Sequence, residues 1–301
     1  MSIAEAEAVE LGIEGPGGLW SEAWHKLIRN PGAIIGGVII GVLLLTAIFA
    51  PLIAPSNPRA QNLDALNHGS PVGPNSEHWF GVDTLGRDEF SRIVYGARYS
   101  LLIGVVSVTV GFFFGSILGA IAGFVGGATD SVIMRITDIW LTIPGFLMAI
   151  GIVALLGPGL TQIMIAIGII NVPIFARLLR GTVLAQREND FVLAARAVGV
   201  PRRSILGSHI LPNAMSPVIV AGTLALATAI IDAAGLGFLG LGPQDPSTPE
   251  WGTMLTNTVR FLQTAPHLAI IPGLAIVVTA ISINLIGDGL REAIDPKMRS
   301  R

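Results

Sequence analysis

Five long stretches of this chain contain no charged side chain, and they restrict its possible folds more than any other feature. The stretches cover residues 30–58, 99–129, 139–176, 204–231 and 261–287. A helix needs about 20 apolar residues to cross the hydrocarbon core of a bilayer, and a charge at its centre costs a few kcal/mol. The third stretch is too long for one crossing, and Gly157-Pro158-Gly159 predicts a tight turn within it. The sequence therefore predicts six membrane helices.

The composition excludes several other classes of protein. Hydrophobic residues make up 51% of the 301 residues and charged residues 13%, whereas soluble domains average roughly 25% charged residues. The 18 basic and 20 acidic residues give a net charge of −2. This balance excludes a disordered chain and a nucleic-acid-binding protein that relies on overall positive charge. A soluble enzyme with buried helices would need polar helix faces, which these segments lack.

The distribution of basic residues predicts the orientation in the membrane. Six crossings place both termini on one side, and segments on that side hold 13 of the 18 lysines and arginines, against 5 on the other. Because basic loops stay in the cytoplasm, we expect both termini to be cytoplasmic. The chain then divides into an N-terminal tail with an interfacial segment (1–30), a membrane domain (31–290) and a C-terminal tail (291–301).

Three of the predicted loops are long. They are an outer loop at about 55–99, an inner loop at about 180–212 and an outer loop at about 236–266. Near the end of the first, apolar residues recur at helical spacing, which predicts an amphipathic helix along the outer membrane surface. These apolar residues are Phe90, Ile93, Val94, Ala97 and Leu101.

The second predicted membrane helix has one face without side chains. Glycine recurs at every fourth position, at Gly111, Gly115, Gly119 and Gly123. In membranes, small residues in register let another helix approach closely. We therefore expect this face to pack against a further helix.

The inner loop contains a helix–glycine–helix pattern. A short helix is predicted from Asn189 to Val198, with Phe191 on the same face as Ala195 and Val198. Gly199 is placed to end that helix, and Pro201 suits the first turn of the next one. Small alanines between arginines make such an element suited to docking in a groove of a partner.

This inner loop resembles the "EAA" cytoplasmic loop of ATP-binding-cassette (ABC) importer permeases, in which Glu-Ala-Ala precedes a glycine and a later Leu-Pro. The residues that match at the family spacing are Ala194, Ala195, Gly199, Leu211 and Pro212. The flanking arginines are Arg196, Arg202 and Arg203. Leu193 replaces the glutamate of the family, so an ion pair through that position is not expected. The resemblance implies that this loop couples the chain to ATPase subunits.

Three further blocks resemble the "C" permease subunit of the peptide and nickel importers. They are HWFGVDTLGRDEFSRIVYGARYSL in the first outer loop, GLGFLGLGPQDPSTPEWGTML at 235–255 and GDGLREAIDPK at 287–297. The resemblance implies an all-α membrane protein with the six-helix permease fold of type I ABC importers. Residues 232–238 resemble the dipeptide permease in particular.

The resemblance also implies partners and a location. The expected partners are a homologous second permease, two cytoplasmic ABC ATPases, an extracytoplasmic peptide-binding protein and the lipid bilayer of a bacterial cytoplasmic membrane, with no nucleic acid. This chain is expected to be no enzyme and to hold no cofactor or metal, so ATP and Mg would bind the ATPases. A phosphate-binding loop of the type G-x-x-x-x-G-K-[ST] is absent, because the only lysines are Lys26 and Lys297.

Polar residues of the two outer loops are candidates for contact with the binding protein or for an outer gate. They are Asp83, Arg87, Asp88, Asp245, Glu250 and Trp251. The substrate stays open between dipeptides, oligopeptides and metal chelates such as nickel complexes.

The sequence argues against two alternatives to an ABC permease. An intramembrane aspartyl protease would pair Asp232 with Asp288, but these residues lie at opposite ends of their helices, roughly 30 Å apart at about 1.5 Å per residue. A channel or secondary transporter would keep ionisable groups near the membrane centre, whereas here they lie at the ends of the spans. Arg135 and Asp138, three residues apart on a helix, are expected to form a local ion pair.

Overall fold

The computed structural model describes residues 19–256 and 258–294, and within them the regular structure is helical. Twelve α-helices occur in these ranges. Their bounds are α1 Leu19–Leu27, α2 Pro31–Ile48, α3 Ala50–Ile53, α4 Glu89–Val125, α5 Gly127–Leu141, α6 Gly145–Leu156, α7 Leu160–Arg187, α8 Asp190–Ala197, α9 Arg202–Ser204, α10 Leu211–Leu236, α11 Trp251–Met254 and α12 His267–Ile294. The predicted all-α membrane fold is confirmed.

Five continuous helical segments are long and apolar enough to cross a bilayer. They are α2, α4, α7, α12 and the segment Arg202–Leu241, which joins α9 and α10 through π-helical turns. The predicted third span is not one straight helix. It is the pair α5 and α6, which meet at an elbow of 88°.

Pro144 explains the elbow. It lacks a backbone N–H and excludes the residue before it from helical geometry, so the helix ends at Leu141 and restarts at Gly145. Within the described residues, the predicted number of six crossings is therefore reached only if this bent pair counts as one span.

The amphipathic segment before the second span is not a separate surface helix. It forms the first turns of α4, a single helix of 37 residues or about 55 Å, which exceeds the roughly 30 Å hydrocarbon core. Its polar side is not exposed either, because Glu89, Ser91 and Arg92 are buried. Arg92 donates to the carbonyls of Pro58 and Pro246, and the hydroxyl of Ser91 accepts from the N–H of Ser56. The predicted helix is confirmed, but its polar face contacts protein rather than water.

The closest helix pair is α4 with α7, and glycine makes it possible. A Cβ added at Gly111, Gly115 or Gly123 would lie between 2.5 and 2.9 Å from atoms of α7. A Cβ at Gly119 would approach the carbonyl oxygen of Ala176 still more closely. The glycine face is thus occupied by a helix of the same chain.

Two salt bridges join α5 to α7. Arg177 Nη2 lies 2.5 Å from Asp138 Oδ1, and Arg180 Nη2 lies 2.6 Å from Asp130 Oδ2. The predicted Arg135–Asp138 pair is therefore wrong. Asp138 instead pairs with Arg177 on the neighbouring helix, and the two salt bridges hold α5 against α7.

A methyl group at the glycine face should destabilise the fold. Gly119→Ala would push a Cβ into the backbone of α7, and overpacking of this kind costs about 1–3 kcal/mol. We expect a lower melting temperature and less monodisperse protein in detergent for this variant. Gly37→Ala is the matched control, because nothing lies within 4 Å of a Cβ added there. Equal melting temperatures for the two variants would contradict the packing described.

Candidate functional site

The inner segment is built around α8 and a left-handed glycine. Gly199 has φ +82° and follows the helix end. The N–H of Gly199 donates to the carbonyl of Arg196, and the N–H of Val200 donates to that of Ala195, both at 3.0 Å. These two bonds make a Schellman motif, which requires a residue at positive φ. The structure thus places a helix end at Gly199.

One face of α8 packs into the chain and the other is exposed. Val192 and Ala195 are buried in the main core together with Ile205 and Ile210. Ala195 is therefore buried, whereas Phe191 and Val198, which the spacing places on the same face, are exposed. The exposed apolar residues are Phe191, Leu193 at 46% and Val198 at 80%. This apolar face, which also carries Ala194, is the part of the segment that a partner can reach.

The chain that follows α8 packs against this helix. Residues Ile205–Ile210 form a π-helical turn that continues directly into α10. Pro212 cannot donate a backbone hydrogen bond. The side-chain amide of Asn213 donates to the backbone carbonyl of His209 at 2.8 Å. Leu211 and Pro212 lie within one continuous helical segment, which begins with Arg202 and Arg203. Because α7 extends to Arg187, the irregular part of the predicted 180–212 loop is short.

On the opposite side of the spans, a buried ion cluster fixes the first outer loop. Arg87 Nε donates to Asp83 Oδ2 at 2.6 Å, and Arg92 Nε lies 3.5 Å from the same oxygen. Both arginines also donate to the carbonyl of Pro246, in the segment between α10 and α11. The cluster thus joins two outer segments that are about 160 positions apart in sequence.

Asp88 caps the long helix α4. Its side chain accepts a hydrogen bond from the N–H of Ser91 at 2.8 Å, and its Oδ1 lies 2.9 Å from His78 Nδ1. An aspartate at this position satisfies one of the free N–H groups of the first turn. Its role in this chain is to begin the helix.

Glu250 caps α11 from a buried position. Its carboxylate accepts bonds from the N–H groups of Gly252 and Thr253 at 2.8 and 2.7 Å, and from the hydroxyl of Thr253 at 2.9 Å. The hydroxyl of Ser100, on α4, donates to it at 3.3 Å. Burial raises the pKa of Glu250, while these donors act in the opposite direction.

Trp251 anchors the same short helix against α4. The indole is 1% exposed, and its Nε1 donates to the carbonyl of Ile93 at 3.1 Å. A Cβ added at Gly96 would lie 2.6 Å from Trp251 Cδ1, so only glycine leaves room for the ring. Glu250 and Trp251 together hold the outer segment against α4.

The burial of these residues changes how the outer candidates can act. Asp83, Arg87, Asp88, Glu250 and Trp251 are all buried within the chain, so a docking protein cannot touch them directly. Asp245 alone among the candidates is exposed, and hydrogen bonds from the hydroxyl and the N–H of Ser247 hold its pKa below the usual range. Sequence reasoning missed Glu89, Arg92, Ser100 and Gly96, since nothing local in the sequence marks them as buried.

Comparison with protein families gives two matches. Residues 115–300 match the model described as binding-protein-dependent transport system inner membrane component. Residues 18–71 match the N-terminal TM domain of oligopeptide transport permease C.

Relatives and a solved structure agree with these matches. The dipeptide transport system permease protein DppC of Alkalihalophilus pseudofirmus is 50% identical over 281 residues, 93% of this chain and 91% of that protein. The glutathione transport system permease protein GsiD of Escherichia coli is 45% identical over 283 residues, 93% of this chain and 91% of that protein. A chain of the inward-facing MetNI methionine ABC transporter aligns with TM-score 0.56 and 19% identity, covering 68% of this chain and 96% of that one, which shows a common fold.

Loss of the Glu250 charge should loosen the outer segment. In Glu250→Gln, the amide nitrogen replaces an oxygen that accepts from Thr253, and an unpaired buried donor costs about 1–3 kcal/mol. We expect a lower melting temperature and faster cleavage between α10 and α11 by an added protease. Asp245→Asn, in the same segment but exposed, should behave like the wild type. Equal protease resistance of both variants would contradict the capping role.

Proposed function

The chain belongs to the family of binding-protein-dependent transport system inner membrane components, and from this we propose that its importer carries short peptides, dipeptides above all. Members of this family are ABC transport permeases and not enzymes. The observation that carries the proposal is the 50% identity, over 93% of the chain, to a permease named for dipeptide transport. The glutathione permease at 45% identity supports the same choice, since glutathione is also a short peptide.

The substrate proposal is tested by uptake into vesicles. The complete importer, with its own binding protein, should accumulate labelled dipeptides and should take up longer peptides and nickel chelates more slowly. The measurement is the initial rate of uptake of each substrate, with ATP supplied on the side of the membrane that carries the ATPases. Faster uptake of a metal chelate than of any peptide would replace the proposal with the metal-chelate alternative.

We further propose that the chain works in a complex of two permeases and two ABC ATPases, with an extracytoplasmic binding protein. ATP and Mg would bind the ATPases, because this sequence contains no phosphate-binding loop. The exposed apolar face of α8 supports docking, since an apolar patch on a short polar segment is typical of an interaction site. The permease would then alternate between outward and inward openings.

We propose that both termini and α8 lie in the cytoplasm of the bacterium. The 13-to-5 distribution of basic residues supports this orientation. A periplasm-active reporter fused after Asn62 or Ser247 should be active, and one fused after Arg203 should be inactive. Activity after Arg203 would reverse the orientation.

Strain at the end of α8 should uncouple transport from ATP hydrolysis. In Gly199→Val, a β-branched side chain would occupy φ +82°, which it strongly disfavours, so the apolar face would be presented at a changed angle. We expect peptide uptake and transport-stimulated ATP hydrolysis to fall at least about fivefold, as a strain of 1–2 kcal/mol predicts. The hydrolysis by isolated ATPases should not change.

Gly207→Val is the matched control for this experiment. Gly207 lies in the π-helical turn, its φ is not positive, and nothing lies within 4 Å of an added Cβ. This variant should retain most of the uptake. If an intact complex with Gly199→Val transports at the wild-type rate, α8 is not the coupling element.

A further inference from the structure

A polar cavity lies between the two outer segments. Its volume is about 560 Å³, within the range of small-molecule sites. One wall comes from the start of α4 and the turn before it, and the other from the chain between α10 and α12. Its lining includes the charged residues Glu89, Arg92 and Arg260 and the hydroxyl-bearing residues Thr248 and Thr253.

Glu89 is the unusual member of this lining. Its side chain is on the cavity wall, yet the residue is only 2% exposed. Within the described residues, its carboxyl group accepts no hydrogen bond and has no basic nitrogen within 4.0 Å. The nearby Arg87 and Arg92 do not pair with it, because they bind Asp83 and the carbonyl of Pro246 instead. A buried carboxyl group without a partner is costly to ionise, and a cation beside it favours the ionised form. It is therefore poised to gain stability from an arriving cation.

The far wall offers the opposite charge. Arg260 is exposed, lines the same cavity, and forms no salt bridge with the part of the chain that the structure describes. Thr248 and Thr253 line the same cavity, and the side chain of Thr248 has no hydrogen-bond partner among the described residues. A ligand that satisfies both ends needs an ammonium and a carboxylate on one short, hydrogen-bonding backbone. A peptide of two or three residues has this chemistry.

We propose that this cavity is an outer subsite for the transported peptide, in which Glu89 receives the α-ammonium group and Arg260 the α-carboxylate. The proposal rests on the proposed function and adds the place where substrate first contacts this permease. Charge complementarity favours a free zwitterionic peptide over a metal chelate, which offers no ammonium group. Recognition through both termini also explains how one site accepts many side chains.

The chain has no cysteine, so a single introduced thiol can report on occupancy. Thr248→Cys places it on the cavity wall, at a side chain without a hydrogen bond among the described residues. In right-side-out vesicles that contain the complete importer, a membrane-impermeant thiol reagent should label this position. A millimolar dipeptide should slow the labelling at least about fivefold, and the N-acetylated dipeptide should not, because it lacks the cation that pairs with a buried carboxylate.

Glu89→Gln in the Thr248→Cys background removes the charge with little change in shape. We expect the dipeptide concentration needed for protection to rise about tenfold or more, as the loss of a charged hydrogen bond predicts. Glu77→Gln, an exposed acid in the same loop, is the matched control and should leave protection unchanged. Arg260→Gln should weaken protection by the free dipeptide but not by its C-terminal amide.

The outcomes separate this proposal from the proposed function. Wild-type uptake of peptides with no protection, or no labelling at all, would overturn the subsite alone. Protection that persists in Glu89→Gln would show that a docked protein covers the cavity, which also overturns it. Failure of the wild-type importer to take up any peptide would overturn the proposed function.

Discussion

The whole architecture depends on the approach of two backbones along the glycine face of α4. Helices in lipid gain nothing from hiding apolar side chains from one another, because lipid is equally apolar. They associate through close van der Waals contact, and the four glycines in register provide it against α7. The remaining helices pack against the two sides of this pair, with α12 resting on α2 and α10.

Polar interactions hold the two ends of this helix pair in different ways. On the side of the two long loops, buried charges and caps attach those loops to α4 and leave the polar cavity between them. On the inner side, α8 rests on a π-helical turn and leaves Phe191, Leu193 and Val198 uncovered. One end of the chain thus buries its polar residues within the chain itself, whereas the other exposes an apolar face.

Much of this arrangement was predictable, because the absence of charge is a strong signal in a membrane. The all-α fold and the helix end at Gly199 follow from such local rules. The face that α8 buries did not follow, since Val192 with Ala195 and Phe191 with Val198 are both apolar pairs at helical spacing and the sequence cannot choose between them. The burial of Arg87 depends on a carbonyl about 160 positions away, at Pro246, and no local pattern records such a contact.

The elbow between α5 and α6 has a consequence for where water lies around this chain. Helix α6 has 12 residues, about 18 Å, and so is too short to cross the hydrocarbon core. A span built from α5 and α6 together would place the irregular backbone at Thr142–Pro144, which is exposed in the isolated chain, at membrane depth. Backbone without helical hydrogen bonds is not tolerated against lipid tails. In such a span, this side of the molecule has to be hydrated or covered by another subunit, as the wall of an aqueous passage is and a surface facing lipid is not.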